Sequence, residues 1–179
     1  MDLPNNRTCE SKICMTVLKE FMYTKNDIEP IRVALIKAKQ TLAVAESVTS
    51  GHLQAAISLA TDASQFFQGG ITTYNLGQKS RHLFIDPVHA DACNCVSSQI
   101  ASSMSIQVSK MFSSNWGLAI TGYAAPAPEF KVSKAFAYCA ISFNNKIMLA
   151  RKINPNVSAG RPTQEYYVKQ VLKYFSGCL

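Results

Sequence analysis

The stretch that most constrains this chain is Leu42–Ala45, four consecutive apolar residues that stop abruptly at Glu46-Ser47. A strand with water on one face alternates apolar and polar side chains, whereas a strand apolar at every position is covered on both faces. After it comes "VTSG", a knot of small and polar residues. An amphipathic segment from about Ser50 to Ala60 then aligns Leu53, Ala56, Ile57 and Ala60. Strand, polar turn and helix in this order open an α/β sheet, and such sheets take their ligands just outside the carboxyl ends of their strands. Ser47 occupies that place.

The alternation continues on both sides. Ile28, Ile31, Leu35 and Ala38 recur at helical spacing, with the polar "TKND" read as a break before them. "FQGGITTYN" reads as a second strand, and "GQKSRHLF" as a short helix that Asp86-Pro87 ends. A helix over Ser97–Phe112 carries the stripe Ile100, Met104, Val108 and Met111. Strands follow in "GLAIT", "AFAYCAISF" and "KIMLARKI", the last two joined by the turn-prone pair Asn144-Asn145. A final helix starts near Pro162, buries Val168, Val171, Leu172 and Phe175, and stops at Gly177. Early alternation plus a late hairpin gives an α/β fold class, a three-layer α/β/α domain with a mixed β-sheet. An extra stripe of Ile13, Cys14, Val17, Leu18, Phe21 and Met22 sets residues 1–25 apart as an N-terminal helical extension to a domain at 26–179.

Composition removes several function classes. No apolar run approaches the ~18 residues of a membrane span, and the polar start lacks the apolar centre of a secretory signal. A soluble cytoplasmic protein with no membrane partner is the expectation. The six cysteines read as reduced thiols, because Cys93-Asn-Cys95 has no second pair at zinc-like spacing; no metal site is expected. Residues 130–179 hold eight Lys/Arg against Glu165 alone, which equals the net charge of +7. No nucleic-acid-reading signature accompanies those cations, so a solvated face or an anionic small molecule is expected rather than nucleic acid.

Ser47 can be read as a helix cap or as a nucleophile, and residues alone leave both open. The helix after it can aim the N–H groups of Thr49 to His52 at an anion. A nucleophile needs a base. His52, His82 and His89 are candidates by type. Lys79, just after the strand-ending Tyr74, is another, provided that burial lowers its pKa from about 10.4.

"AESVTSG", "GGITTYNLGQK", "VSSQIASSM" and "AITGYAAP" stand in this order from about residue 28 to 176. Together they resemble the C-terminal domain of the CinA family, the nicotinamide-nucleotide amidase domain. The resemblance implies a three-layer α/β fold. It also implies hydrolysis of nicotinamide mononucleotide, or a related amide, to nicotinate mononucleotide and ammonia by a serine–lysine mechanism. Ser47 would be the nucleophile, Lys79 its base and Tyr74 a member of the proton network. Glu46, Thr49, Gly51, Ser64, Thr121, Gly122 and Arg161 would surround the nucleotide substrate. No metal or organic cofactor is implied, and a homo-oligomer is expected. The basic last third is expected to meet the nucleotide phosphate. The chain departs from the family pattern at Val48-Thr49-Ser50-Gly51, where the family reads Cys-Thr-Gly-Gly. It departs again at Ala124–Pro128, in place of a glycine-rich loop, and at Glu165, near an expected arginine. These departures carry the alternative reading, a non-catalytic relative that binds a nucleotide or serves as an oligomeric interaction module.

Overall fold

The computed structural model describes residues 23–179; the amphipathic 11–22 stretch, and most of the expected extension, lies outside them. The elements run α1 (Lys25–Ala38), β1 (Leu42–Glu46), α2 (His52–Ser58), β2 (Phe67–Thr72), α3 (Leu76–Leu83), α4 (Pro87–Ala92), α5 (Ser98–Met111), β3 (Trp116–Tyr123), β4 (Phe136–Phe143), β5 (Lys146–Ile153) and α6 (Arg161–Ser176). Two short 3₁₀ turns, Ala63–Gln65 and Pro128–Phe130, complete the list. The five strands form one sheet in the order β2-β1-β3-β4-β5. β1 is parallel to both β2 and β3, while β3–β4 and β4–β5 are antiparallel. The sheet is therefore mixed and the class α/β.

Period-two alternation along the central strands assigns side chains to two different cores. Leu42, Val44, Leu118, Ile120, Cys139 and Ile141 point toward α1, α2 and α6, where Ile31, Leu35, Leu53, Ile57, Val168 and Phe175 meet them. Ala43, Ala45 and Ala119 point the other way, toward Leu83, Ile100, Met104 and Val108 of α3 and α5. The second face is built from small residues, which lets α5 lie close on the sheet. At Gly117 the approach is so tight that a Cβ would overlap the Ser105 carbonyl oxygen.

Two local readings are revised by cap chemistry. "TKND" is a start signal: the Thr24 N–H and hydroxyl both donate to Asp27 Oδ2, at 2.7 and 3.0 Å, and α1 begins at Lys25. Asp86-Pro87 opens α4 as well as following α3, because Asp86 Oδ1 takes the Val88 N–H at 3.0 Å and proline suits a first helical turn. Asn144 and Asn145 both adopt positive φ, 47° and 66°, as the tight β4–β5 hairpin requires. Among the described residues no helix is long and apolar enough to cross a membrane.

The close contact of α5 with the sheet is testable. Gly117→Ala is expected to cost about 3 kcal/mol in chemical denaturation, because neither backbone can yield without moving the helix. An unchanged denaturation midpoint would show that α5 does not rest on the sheet in this way.

Candidate active site

The site begins where β1 ends. Glu46 is fully buried, and its carboxylate accepts from Thr49 Oγ1 (2.5 Å) and from the N–H groups of Gly51 (3.1 Å), Leu53 (3.0 Å) and Gln54 (2.8 Å). It therefore holds the amino end of α2, where a negative charge is favoured. Between them the chain makes a tight turn. The Ser50 N–H donates to the Ser47 carbonyl at 3.2 Å, and Ser50 and Gly51 take φ of 51° and 97°. The Ser47 N–H donates to the Ile120 carbonyl at 3.1 Å, which continues the β1–β3 pairing. From α6, Gln164 Nε2 donates to the Val48 carbonyl at 2.8 Å. Ser47 is thus fixed by β3, α2 and α6 together. The Val48 and Thr49 N–H groups, directly after it, donate to no protein acceptor among the described residues.

Lys79 arrives from the neighbouring strand. Asn75 caps α3, its Oδ1 accepting the Gln78 N–H at 3.0 Å, and Lys79 lies one turn further on with its chain pointing inward. It is 1% exposed. Its Nζ stands 2.9 Å from Ser47 Oγ and donates to the Thr73 carbonyl at 2.8 Å. No carboxylate pairs with it among the described residues. Burial pushes its pKa below the ordinary lysine value, opposed only by the thiol of Cys95 when that ionises. A neutral amine suits the geometry: one N–H donates to Thr73 and the lone pair accepts the Ser47 O–H. His52, His82 and His89 do not border this cavity; His82 pairs with Gln78 at 3.0 Å and His89 with Ser97 at 3.3 Å.

The pair opens into a cavity of about 570 Å³. Ser47, Tyr74, Lys79, Thr121 and Gly122 line it. Tyr74 stands at its mouth, 71% exposed, with no hydrogen bond to Ser47 or Lys79. Thr121 is buried and donates to the Cys95 carbonyl at 2.9 Å. Gly122 has a packing reason of its own, since a Cβ there would overlap Phe136 and Ala137 of β4. Glu46, Thr49 and Gly51 lie behind the turn and off the wall. Ser64 is exposed in the 3₁₀ turn before β2, and Arg161 pairs with Glu165 at 2.7 Å; neither borders the cavity.

Two expectations about anions are corrected. The Gly51 N–H is taken by Glu46 and the His52 N–H by the Thr49 carbonyl, so α2 does not offer them to a ligand. None of the eight cations of the last third lines the cavity. Most other wall residues carry no reading as site residues in the sequence, among them Asp91, Asn94, Cys95, Tyr123 and Gln164. Asn94 and Cys95 share consecutive positive φ (46° and 60°), and Asn94 Nδ2 donates to the Tyr123 hydroxyl at 2.6 Å. An asparagine tolerant of that conformation was the one available signal. Gln164 had none, because it reaches Val48 across 116 positions.

Comparison with known proteins agrees with this architecture. The family model "CinA C-terminal domain" matches residues 26–178. The chain belongs to that family. A CinA-like protein of Synechocystis is 34% identical over 110 residues, covering 61% of this chain and 26% of the relative. One from Thermosynechococcus vestitus is 29% identical over 133 residues, covering 74% of this chain and 32% of the relative. The chain thus spans about a quarter to a third of those relatives' length. Crystal structures share the fold at lower identity. Competence damage-inducible protein A from Klebsiella pneumoniae superposes with a TM-score of 0.81 at 21% identity, covering 86% of this chain and 94% of that one. A CinA superfamily protein from Enterobacter cloacae gives 0.81 at 20%, covering 99% and 96%.

Glu46 is predicted to support the turn rather than the chemistry alone. Glu46→Ala strands four buried or half-buried donors and should cost about 3 kcal/mol or more in denaturant unfolding. A loss below about 1 kcal/mol would mean that the carboxylate does not organise this turn.

Proposed function

We propose that this CinA-family domain is an amidohydrolase that deamidates nicotinamide mononucleotide, or a related amide, through Ser47 and Lys79. One observation carries the reading: a buried amine with no counter-carboxylate, 2.9 Å from a serine hydroxyl that opens into a cavity. Ser47 Oγ attacks the carboxamide carbon while its proton passes to Lys79 Nζ. The Val48 N–H, one position after the nucleophile, faces the developing oxyanion. As the tetrahedral adduct collapses, the C–N bond breaks and the Lys79 ammonium gives its proton to the departing nitrogen. Ammonia leaves and an acyl-serine ester remains. Water then attacks that ester, again with Lys79 accepting the proton, and the carboxylate product departs from a restored Ser47. Tyr74, at the mouth, meets the substrate rather than the lysine.

The alternative of a non-catalytic binding or oligomerisation module draws on the stretch Ala124–Ala127, which borders the cavity and, with Pro128, stands in place of the family's Gly-Pro and glycine-rich loop. Against it stands the cost of Lys79. A purely architectural role at this position would be filled more favourably by an apolar side chain of similar length, since burying a charge without a partner is costly.

Ser47→Ala and Lys79→Met are each expected to lower ammonia release at least ~10³-fold, while Lys79→Met changes stability by less than about 2 kcal/mol. Retained turnover in either variant would remove the mechanism. A second check is pH. Because burial depresses the Lys79 pKa, kcat/KM should rise with pH through an apparent pKa below 10.5 as the amine loses its proton. The same shift makes the folded state bind fewer protons than the unfolded one between the two pKa values. Stability from this group therefore increases with pH across that window. A rate that falls with pH there would assign the proton transfer elsewhere.

A further inference from the structure

We infer, resting on the amidase reading above, that Gln164 is a positioning residue of the hydrolysis: from α6 it holds the Val48 carbonyl and so sets the direction of the backbone amides that receive the oxyanion. A peptide unit is planar, so its C=O and N–H point in opposite directions and turn together. The Val48 N–H shares a unit with the Ser47 carbonyl, and the Thr49 N–H shares one with the Val48 carbonyl. The first unit is tied within the turn, where the Ser50 N–H donates to Ser47 at 3.2 Å. The second is tied from outside, where Gln164 Nε2 donates to Val48 at 2.8 Å. Val48 is therefore gripped on both sides.

The two N–H groups so aimed are themselves unspent. Val48 and Thr49 are buried, yet neither N–H donates to a protein acceptor among the described residues. Buried backbone donors without an acceptor are uncommon. Two in succession directly after a nucleophile suit an oxygen that becomes charged during the reaction.

Gln164 is a firm support because α6 is locked to the cavity wall. The Gly160 N–H donates to the Ala124 carbonyl at 2.8 Å, and the Gln164 N–H donates back to Gly160 at 3.1 Å. One turn beyond Gln164, the Tyr167 hydroxyl donates to the Tyr123 carbonyl at 2.8 Å. Tyr123, Ala124 and Gln164 all border the cavity, so the helix and this part of the wall form one body. A donor delivered from such an element holds its target more exactly than one on a loop. Among the described residues no other side chain donates to the Val48 carbonyl.

Without that hydrogen bond the Val48–Thr49 unit is free to rotate, and a misplacement of about 1 Å at a reacting centre costs on the order of 10²-fold. The loss belongs to the transition state, because the ground-state carboxamide oxygen carries far less charge than the oxyanion. It therefore falls on kcat rather than on KM.

The test uses the full chain, nicotinamide mononucleotide and ammonia release, with two variants. Gln164→Met keeps the length of the side chain and removes the donor; Gln164→Glu keeps the shape and sets an acceptor against the carbonyl. Each is expected to lower kcat about 10- to 100-fold with KM within about threefold. The apparent pKa of the rate should stay where it is, because Lys79 is not touched, and the denaturation midpoint should stay close to that of the unaltered protein. The methionine variant decides alone if the glutamate variant does not fold. Full kcat in either folded variant overturns the inference and leaves the amidase reading standing. A fall in kcat accompanied by an equal rise in KM, a displaced pH profile or a lowered midpoint also overturns it, since general loosening of the site then accounts for the loss. No release by the unaltered protein above the Ser47→Ala background removes the amidase reading, and the inference falls with it.

Discussion

A lysine amine held out of water beside a serine hydroxyl is the contact on which the site depends. Water solvates an ammonium so strongly that burial without a carboxylate partner drives the group toward its neutral form. Here the protein supplies one carbonyl, from Thr73, and one hydroxyl, from Ser47. That is the complement of a neutral amine with one directed N–H and one lone pair. Everything around the pair serves to keep those two acceptor and donor atoms in place. β1 and β2 run parallel and end side by side, so the residues leaving them, Ser47 and Thr73, are neighbours. The Thr73 N–H extends that pairing by donating to the Glu46 carbonyl at 2.8 Å. Glu46 then fixes the turn from below and Gln164 from above.

The departures from the family's glycine pattern become physical statements in this framework. Ser50 stands where the family has glycine and takes φ of 51°, a left-handed conformation that costs a residue with a Cβ about 1–2 kcal/mol. The turn keeps its shape because Glu46 and the α2 amides determine it, and not because serine prefers it. Gly51, at φ 97° with open space around it, retains the freedom its position requires. In the loop after β3, alanine and proline stand at the cavity's edge in place of the glycine-rich loop, which leaves the Ser47–Lys79 pair untouched but stiffens that part of the wall.

Much of this was legible in the sequence. The uniformly apolar Leu42–Ala45 placed a doubly covered strand, and helical stripes placed α5 and α6, because burial imposes periodicity directly on side-chain chemistry. Ser47 and Lys79 were readable as a pair only through strand-end logic and motif resemblance, and the structure brings their atoms together. What escaped was long-range or decided by caps. "TKND" looked like a break because cap residues and turn residues are the same types. Asp86-Pro87 likewise starts a helix as readily as it stops one. Gln164 and Asn94 carry no local signature, since their partners Val48 and Tyr123 are set by the fold. The basic last third misled because a run of charge says how much cation is present and not which way it faces.

The most direct measurement is the ionisation of Lys79 itself, followed through the ¹⁵N chemical shift of its Nζ and assigned by the signal lost in Lys79→Met. The account predicts titration clearly below the ordinary lysine value of 10.5, with the neutral amine as the form that faces Ser47. Titration at or above that value would show an ammonium stabilised in place, and an ammonium cannot take a proton from the serine.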